Sequence, residues 1–248
     1  MESKEIIIDV ENLVKKFGQF VANDNLTFKV YKGEIFGFLG ANGAGKTTAI
    51  RIMSGLLEPT SGKINVAGFD AHTQRDLIKA NIGYMSQKFS LYDDLTVREN
   101  IRFFGGIYGL KRKVLKARID ELLSDLKMSE FKEELISSLP LGWKQRLSFS
   151  IAMIHKPQII FLDEPTGGVD PITRRSFWEM IHHVASLGTT VFVTTHYMDE
   201  AEYCDRVTIM VDGRIEALDT PANLKKTFNA NSMDEVFVKL ARKGKSVA

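Results

Sequence analysis

Three clusters of residues carry the types and spacings that do phosphate chemistry. The first is Gly40-Ala41-Asn42-Gly43-Ala44-Gly45-Lys46-Thr47-Thr48, directly after the apolar run Gly33 to Leu39. Gly40, Gly43 and Gly45 let the backbone approach a ligand closely, and their N–H groups can form a concave anion site. A helix starting near Lys46 adds its positive N-terminal end. Lys46 is placed to reach β- and γ-phosphates, and the Thr47 hydroxyl to coordinate Mg²⁺. Thr48 is either a further phosphate contact or a helix-start residue. In the second cluster, Ile159 to Leu162 runs into Asp163-Glu164. Asp163 is expected to hold Mg²⁺, directly or through water, and Glu164 to polarise an attacking water. The competing reading is a solvated acidic pair at a strand end. The third is His196, directly after Val191 to Thr195, where it could contact a γ-phosphate and orient water. His72, His155, His182 and His183 have no comparable setting and are read as surface or packed residues. Together the clusters predict a nucleoside triphosphatase.

These residues are far apart in the chain, so neighbouring parallel strands of one sheet must bring them together. Strands are expected at Ile6–Val10, Asn25–Val30, Glu34–Leu39, Lys63–Gly68, Asn81–Gln87, Gln158–Leu162, Thr189–Thr195 and Arg206–Val211. Helices are expected from Lys46 to about Leu56, Leu147 to His155, Arg174 to Leu187 and from Tyr197. Thr96 to Ser138 is read as mostly helical, with Leu115, Ile119, Leu122, Leu123 and Leu126 at near-helical spacing. The tail from Pro221 is expected to be short and mostly helical. The fold class is α/β with a helical lobe.

The bulk numbers narrow the function classes. The chain has 248 residues with 44% hydrophobic, enough for one large domain. A net charge of +2 from 33 basic and 31 acidic residues gives no argument for nucleic acid, and no aromatic-basic stripe is present. The single cysteine, Cys204, rules out an internal disulfide and a multi-cysteine metal site. Met1 to Glu5 does not read as a signal peptide, and no run approaches the roughly 20 apolar residues of a membrane span. The expected location is cytoplasmic, with room for a membrane partner.

From about Ile6 to Val238 these residues resemble the ATP-binding cassette (ABC) ATPases. Gly40 to Thr48 resembles the Walker A motif, with Asn42 and Ala44 inside it, and Ile159 to Glu164 resembles Walker B with its catalytic glutamate. Gln87, after Ile82 to Ser86, is similar to the Q-loop glutamine, which contacts Mg²⁺ and the γ-phosphate region. Gly167-Gly168-Val169-Asp170-Pro171 matches the D-loop, and His196 the switch histidine. Phe17 stands where an aromatic stacks on adenine, or is a core residue. The resemblance implies a P-loop NTPase fold with a mixed central sheet, an antiparallel β subdomain and an inserted helical subdomain over about 88–138. It implies one ATPase domain over 1–248, with a short C-terminal extension over 213–248. ATP and Mg²⁺ are the implied ligands.

It also implies a head-to-tail pair of cassettes, each site taking Walker residues from one chain and the signature loop from the other. A groove formed by the helical subdomain with Gln87 would receive a membrane subunit. Phe89, Leu91, Tyr92, Phe103 and Phe104 could line it or be ordinary core. Leu95 to Asn100, Thr195 to Glu202 and Met233 to Phe237 resemble the ABC-2 exporter group. This implies integral membrane permease partners, a second cassette (self or homologous), and a peripheral position on the inner face of the cell membrane.

One motif departs from the pattern. Where the family has Leu-Ser-Gly-Gly-Gln, this chain has Leu139-Pro140-Leu141-Gly142-Trp143. The serine hydroxyl is missing and Pro140 has no N–H. Gly142 remains, and the helix behind it can still point its N-terminus at phosphate. The sequence resembles the second ATPase half of some tandem exporters, where Pro-Leu-Gly-Trp or Pro-Leu-Gly-Phe occurs. Two readings follow: an ATPase driving export, or an ATP-binding regulatory partner with little hydrolysis.

Overall fold

The computed structural model describes residues 4–88 and 90–245. Two sheets organise it. β1 (Ile6–Phe17), β2 (Phe20–Tyr31), β4 (Ser61–Val66) and β5 (Phe69–Asp70) form an antiparallel sheet in the order β2-β1-β4-β5. β3 (Ile35–Gly40), β6 (Ile82–Met85), β7 (Ile159–Asp163), β8 (Thr190–Thr195), β9 (Arg206–Val211) and β10 (Arg214–Asp219) form the second, in the order β10-β9-β3-β8-β7-β6. β9, β3, β8, β7 and β6 pair in parallel; β10 is antiparallel to β9. Every residue of β3, β7 and β8 is buried, as their continuous apolar runs require for strands covered on both faces.

Phe28 of β2 packs the antiparallel sheet against the parallel one. Its ring lies 5.7 Å from Phe36, 5.5 Å from Phe38 and 6.2 Å from Phe192, and Phe161 joins through Phe192 at 5.4 Å. These rings have almost no exposed surface. Truncating one of this size to alanine costs about 3–5 kcal/mol.

α1 (Lys46–Met53) follows β3, and α2 (Arg75–Asn81) leads into β6. A separate apolar core gathers α3 (Val97–Ile107), α4 (Arg112–Asp125) and the inner face of α5 (Leu141–Ala152). α3 starts at a capping box, with Thr96 and Glu99 exchanging side-chain-to-backbone hydrogen bonds. α6 (Pro171–Ser186) covers the far side of the sheet with α7 (Pro221–Thr227) and α8 (Met233–Lys245).

Several boundaries differ from the sequence reading. β1 and β2 run to 12 residues each, because irregular pairing, including Asn12 at φ 51°, hides their alternation. α2 escapes notice because only Ile78 is buried on it. α1 ends at Met53, short of Leu56. The segment after His196 is a six-residue 3₁₀ helix, Met198–Tyr203. The stretch from residue 213 contributes β10 to the sheet before its two helices. Leu141, Gly142 and Trp143 are the first turn of α5, not a loop; the helix starts six residues before the expected Leu147. Pro140 sits at its N-cap, where a fixed φ suits the entry and no N–H is needed.

Candidate functional site

Parallel pairing sets the site. Leu39 of β3 lies opposite Thr195 of β8, and Asp163 of β7 opposite Thr194. The glycine loop, Asp163-Glu164 and His196 therefore leave the same carboxyl edge of the sheet, where α/β folds bind ligands.

The loop from Gly40 to Gly45 is held from behind. Gly45 caps α1 with φ 100°, a left-handed conformation closed to ordinary side chains. Asn23, fully buried on β2, donates from Nδ2 to the Gly45 carbonyl at 3.1 Å. Gly213 N–H donates to the Ala44 carbonyl at 3.2 Å. Lys46 is buried, and its ammonium donates to the carbonyls of Gly40 (2.8 Å) and Ala41 (3.1 Å). It also forms an ion pair with Glu164 Oε1 at 3.2 Å.

Glu164 is the hub. Its Oε2 accepts from Gln87 Nε2 at 3.0 Å and meets His196 Nδ1 at 3.0 Å. Its backbone stands at φ 48°. That strain of about 1–3 kcal/mol persists only where surroundings hold it. Here the Glu164 N–H donates to both the carbonyl (3.1 Å) and hydroxyl (3.0 Å) of Thr194.

Asp163 lies beside it. Its Oδ1 accepts from the hydroxyls of Thr194 (2.7 Å) and Thr47 (3.2 Å). Burial raises the Asp163 carboxyl above the usual range; the two threonine hydrogen bonds and Lys46 oppose the shift, and the Glu164 charge adds to it. Among the described residues no group of three or more His, Cys, Asp or Glu could hold a metal. Mg²⁺ asks for less, since it takes one or two protein oxygens and completes its shell with phosphate and water. The hard oxygens of Thr47 and Asp163, sharing one hydrogen bond, fit that demand.

Of the residues expected at the site, Lys46, Gln87 and His196 meet on Glu164 and Thr47 meets Asp163, and Thr194 links the two groups. Gln87 meets Glu164 through its amide nitrogen. Thr48 lies within the first turn of α1. Phe17 is half-exposed at the end of β1, with Lys15 Nζ 4.9 Å from its ring centroid. Asp170 serves as the N-cap of α6, accepting from the backbones of Ile172 and Thr173 and from the Thr173 hydroxyl. Those bonds, the Thr173 hydroxyl first, lower its carboxyl pKa. Gly142 abuts Thr173, and a Cβ there would meet the threonine methyl at 2.9 Å. Leu141 is 44% exposed and reaches over Gly168, so the altered signature and the Gly168-Val169-Asp170 segment share one surface.

Asn23, Thr194, Gln145 and Glu200 were not singled out in the sequence. Only Thr194 carried a signal, as a polar residue near the end of a buried strand, with another such strand ending in a carboxylate. Replacing Asn23 with Ala should destabilise the protein by about 1–3 kcal/mol, because the Gly45 carbonyl loses a buried donor. Mg-ATP affinity should fall with it. Denaturant titration and calorimetry check both; full affinity in the folded variant contradicts the buttress.

The chain matches the ABC transporter family over residues 23–167. It is 46% identical over 242 residues to the "Probable multidrug ABC transporter ATP-binding protein YbhF" of Escherichia coli (strain K12), covering 95% of this chain and 42% of that protein. The chain thus spans less than half the length of that relative. It is 35% identical over 233 residues to the linearmycin resistance ATP-binding protein LnrL of Bacillus subtilis (strain 168), covering 94% of this chain and 75% of that one. A solved ATP binding subunit of an ABC transporter superposes with a TM-score of 0.84 at 27% identity, covering 94% of this chain and 99% of that structure. With strands, loop and carboxylates arranged as above, the chain belongs to the ABC transporter family.

Proposed function

We propose that this chain is an ATPase that powers a membrane exporter of the ABC-2 type. The observation that carries the reading is the convergence of Lys46, Thr47, Asp163, Glu164, Gln87 and His196 at one sheet edge. ATP would seat its phosphates in the Gly40–Thr48 loop and its base against Phe17. Lys46 would then exchange the Glu164 carboxylate for phosphate oxygens. Glu164, still held by Gln87 and His196, would face a water and accept its proton. As that water attacks in line, a bond forms from its oxygen to the γ-phosphorus and the bond to the β-phosphate oxygen breaks, giving ADP and phosphate. Lys46 and His196 stabilise the charge that develops. Mg²⁺ held by Thr47 and Asp163 would neutralise charge on the β- and γ-oxygens.

Export is supported by the names of the relatives, one a multidrug transporter component and the other a linearmycin resistance protein. Among the described residues no helix is long and apolar enough to cross a membrane. In this reading a membrane subunit would supply that path, with this chain peripheral on the inner face. The surface offered to it is a cavity of about 610 Å³ between β6, α2 and α3, lined by Tyr84, Leu91, Phe104 and Ile107 among others. Of the expected groove residues, Leu91 and Phe104 line it. Tyr92 and Phe103 stack edge-on at 4.9 Å, both half-exposed, and Phe89 lies outside the described residues.

The test is Mg²⁺-dependent ATP hydrolysis by the purified chain, with Glu164→Gln as the blank. A rate that rises steeply with protein concentration and vanishes in the blank supports the reading. ATP binding without turnover favours the second one, a regulatory cassette, for which Pro140 and Leu141 speak.

Pro140→Ser with Leu141→Gly probes that alternative. A serine N-cap adds about 1 kcal/mol, and losing the proline stiffness removes about 0.4–1 kcal/mol, while the new glycine in the first turn costs under about 1 kcal/mol. Stability should therefore change little. Turnover by a homodimer should rise roughly tenfold to a hundredfold, as one hydrogen-bond donor to phosphate is restored. An unchanged rate at saturating ATP would show that the altered signature does not limit this chain.

A further inference from the structure

Behind Glu164 lies a polar chain that neither phosphate nor Mg²⁺ would touch. Glu164 opens a tight turn, closed by the Gly167 N–H donating to the Glu164 carbonyl at 3.2 Å. Both middle residues of that turn are tied to other elements. The Pro165 carbonyl accepts from Gln145 Nε2, and Gln145 lies on α5 with no exposed surface. The Thr166 hydroxyl donates to Glu200 Oε1 at 2.6 Å. Glu200 is also fully buried, in the 3₁₀ segment that follows His196. Arg174 of α6 completes the group, with its Nε 3.6 Å from Glu200 Oε1 and its guanidinium 4.1 Å above the Tyr197 ring. Tyr197 in turn lies against His196, with ring centroids 4.1 Å apart.

Gln145 Oε1 and Glu200 Oε2 are buried with no hydrogen-bond partner. Each of the two side chains thus carries one unmet buried oxygen and uses its other polar atom on the turn, on the Pro165 carbonyl or the Thr166 hydroxyl. What they do provide is direction: each fixes one atom of the turn that sets the backbone of Glu164.

We propose that Gln145, Thr166 and Glu200 are positioning residues for Glu164 and His196. Through them α5, capped by Pro140, and α6, capped by Asp170, set the geometry of the catalytic pair. A shift of α5 moves the Pro165 carbonyl, and with it the Glu164 carboxylate, without any contact to nucleotide. The proposal rests on the ATPase reading for its kinetic arm, but not for its structural arm.

Three variants test it in the full chain: Gln145→Leu, Thr166→Val and Thr166→Ser. Val keeps the shape of Thr and removes the hydroxyl; Ser restores the hydroxyl. Thr166→Val and Gln145→Leu should each lower kcat at least tenfold, with Mg-ATP affinity within twofold of the parent. Thr166→Ser should recover most of the rate. A structural role alone would lower melting temperature and affinity together, with no recovery by Ser, and that pattern overturns the proposal. So do unchanged kcat values in folded variants. The second readout needs no activity. In nucleotide-free protein, Gln145→Leu should speed amide hydrogen exchange at least severalfold across Met198–Tyr203, through the Pro165–Thr166 turn, while β3 exchanges as before. Unchanged exchange there overturns the linkage even if the parent chain shows no turnover, a result that would instead count against the ATPase reading.

Discussion

Glu164→Gln should lower ATP turnover by at least about 10²-fold and at the same time tighten Mg-ATP binding. The first effect follows from removing the proposed base, since a positioned general base contributes about 10²–10⁴-fold. The second follows from the ion pair. In the nucleotide-free protein Lys46, 3% exposed, has one anionic partner, Glu164 at 3.2 Å, beside the carbonyls of Gly40 and Ala41. A neutral amide leaves that buried cation uncompensated. Breaking such a pair costs about 3–5 kcal/mol, with the two carbonyls placing this case at the low end. The empty site is therefore destabilised, and phosphate no longer competes with a carboxylate for Lys46. Phosphate release at saturating Mg-ATP, equilibrium nucleotide binding and a melting curve without nucleotide read the three effects. A normal rate removes Glu164 from catalysis. A lost rate with weaker binding contradicts the partner exchange by Lys46.

Gly45→Ala should be severely damaging, since it combines a left-handed backbone with a collision against backbone. At φ 100° an L side chain costs about 1–3 kcal/mol wherever it sits. Here the added Cβ would also meet the Ala22 carbonyl oxygen at 2.2 Å and Asn23 Nδ2 at 2.8 Å. The first is backbone of a paired strand and cannot rotate away. Overpacking adds about 1–3 kcal/mol, so a total of about 2–6 kcal/mol is expected. Gly43 is the control: it stands at φ 83° with nothing within 4 Å of the Cβ position. Gly43→Ala should lose only the conformational part. Urea unfolding of the two variants separates strain from collision. Equal losses would mean that Ala22 and Asn23 do not press on the loop.

The difference between these two glycines marks what the sequence could tell. Gly40 to Thr48 is legible because its chemistry lies within nine consecutive residues, after a run too apolar to be anything but a buried strand. Asp163, Glu164 and His196 are legible for the same reason, each at the end of such a run. Asn23 beneath Gly45, Gln145 on Pro165 and Glu200 on Thr166 are contacts between elements, and no local spacing announces them. Phe17 lies beyond the strand expected at Ile6–Val10, so its place at the end of β1 is seen only in the structure. The start of α5 lies before the expected Leu147 because Pro140 and Gly142, which punctuate loops, are also ordinary at a helix N-cap and first turn. Thr173 explains the glycine, and only the packed α6 shows it.

The five phenylalanine rings between the sheets have a further consequence. Phe28 belongs to the strand that pairs with Phe17's strand, and Phe36 and Phe38 to the strand that carries the glycine loop. Packed protein interiors do not stretch. The sheet that carries Phe17 and the strand that carries the glycine loop are thus separated by a packed block of fixed thickness. A molecule that rests on Phe17 and also fills the Gly40–Thr48 loop must match a span the protein does not adjust. If the base rests on Phe17 as proposed, the reach from base to phosphates would have to fit that fixed span.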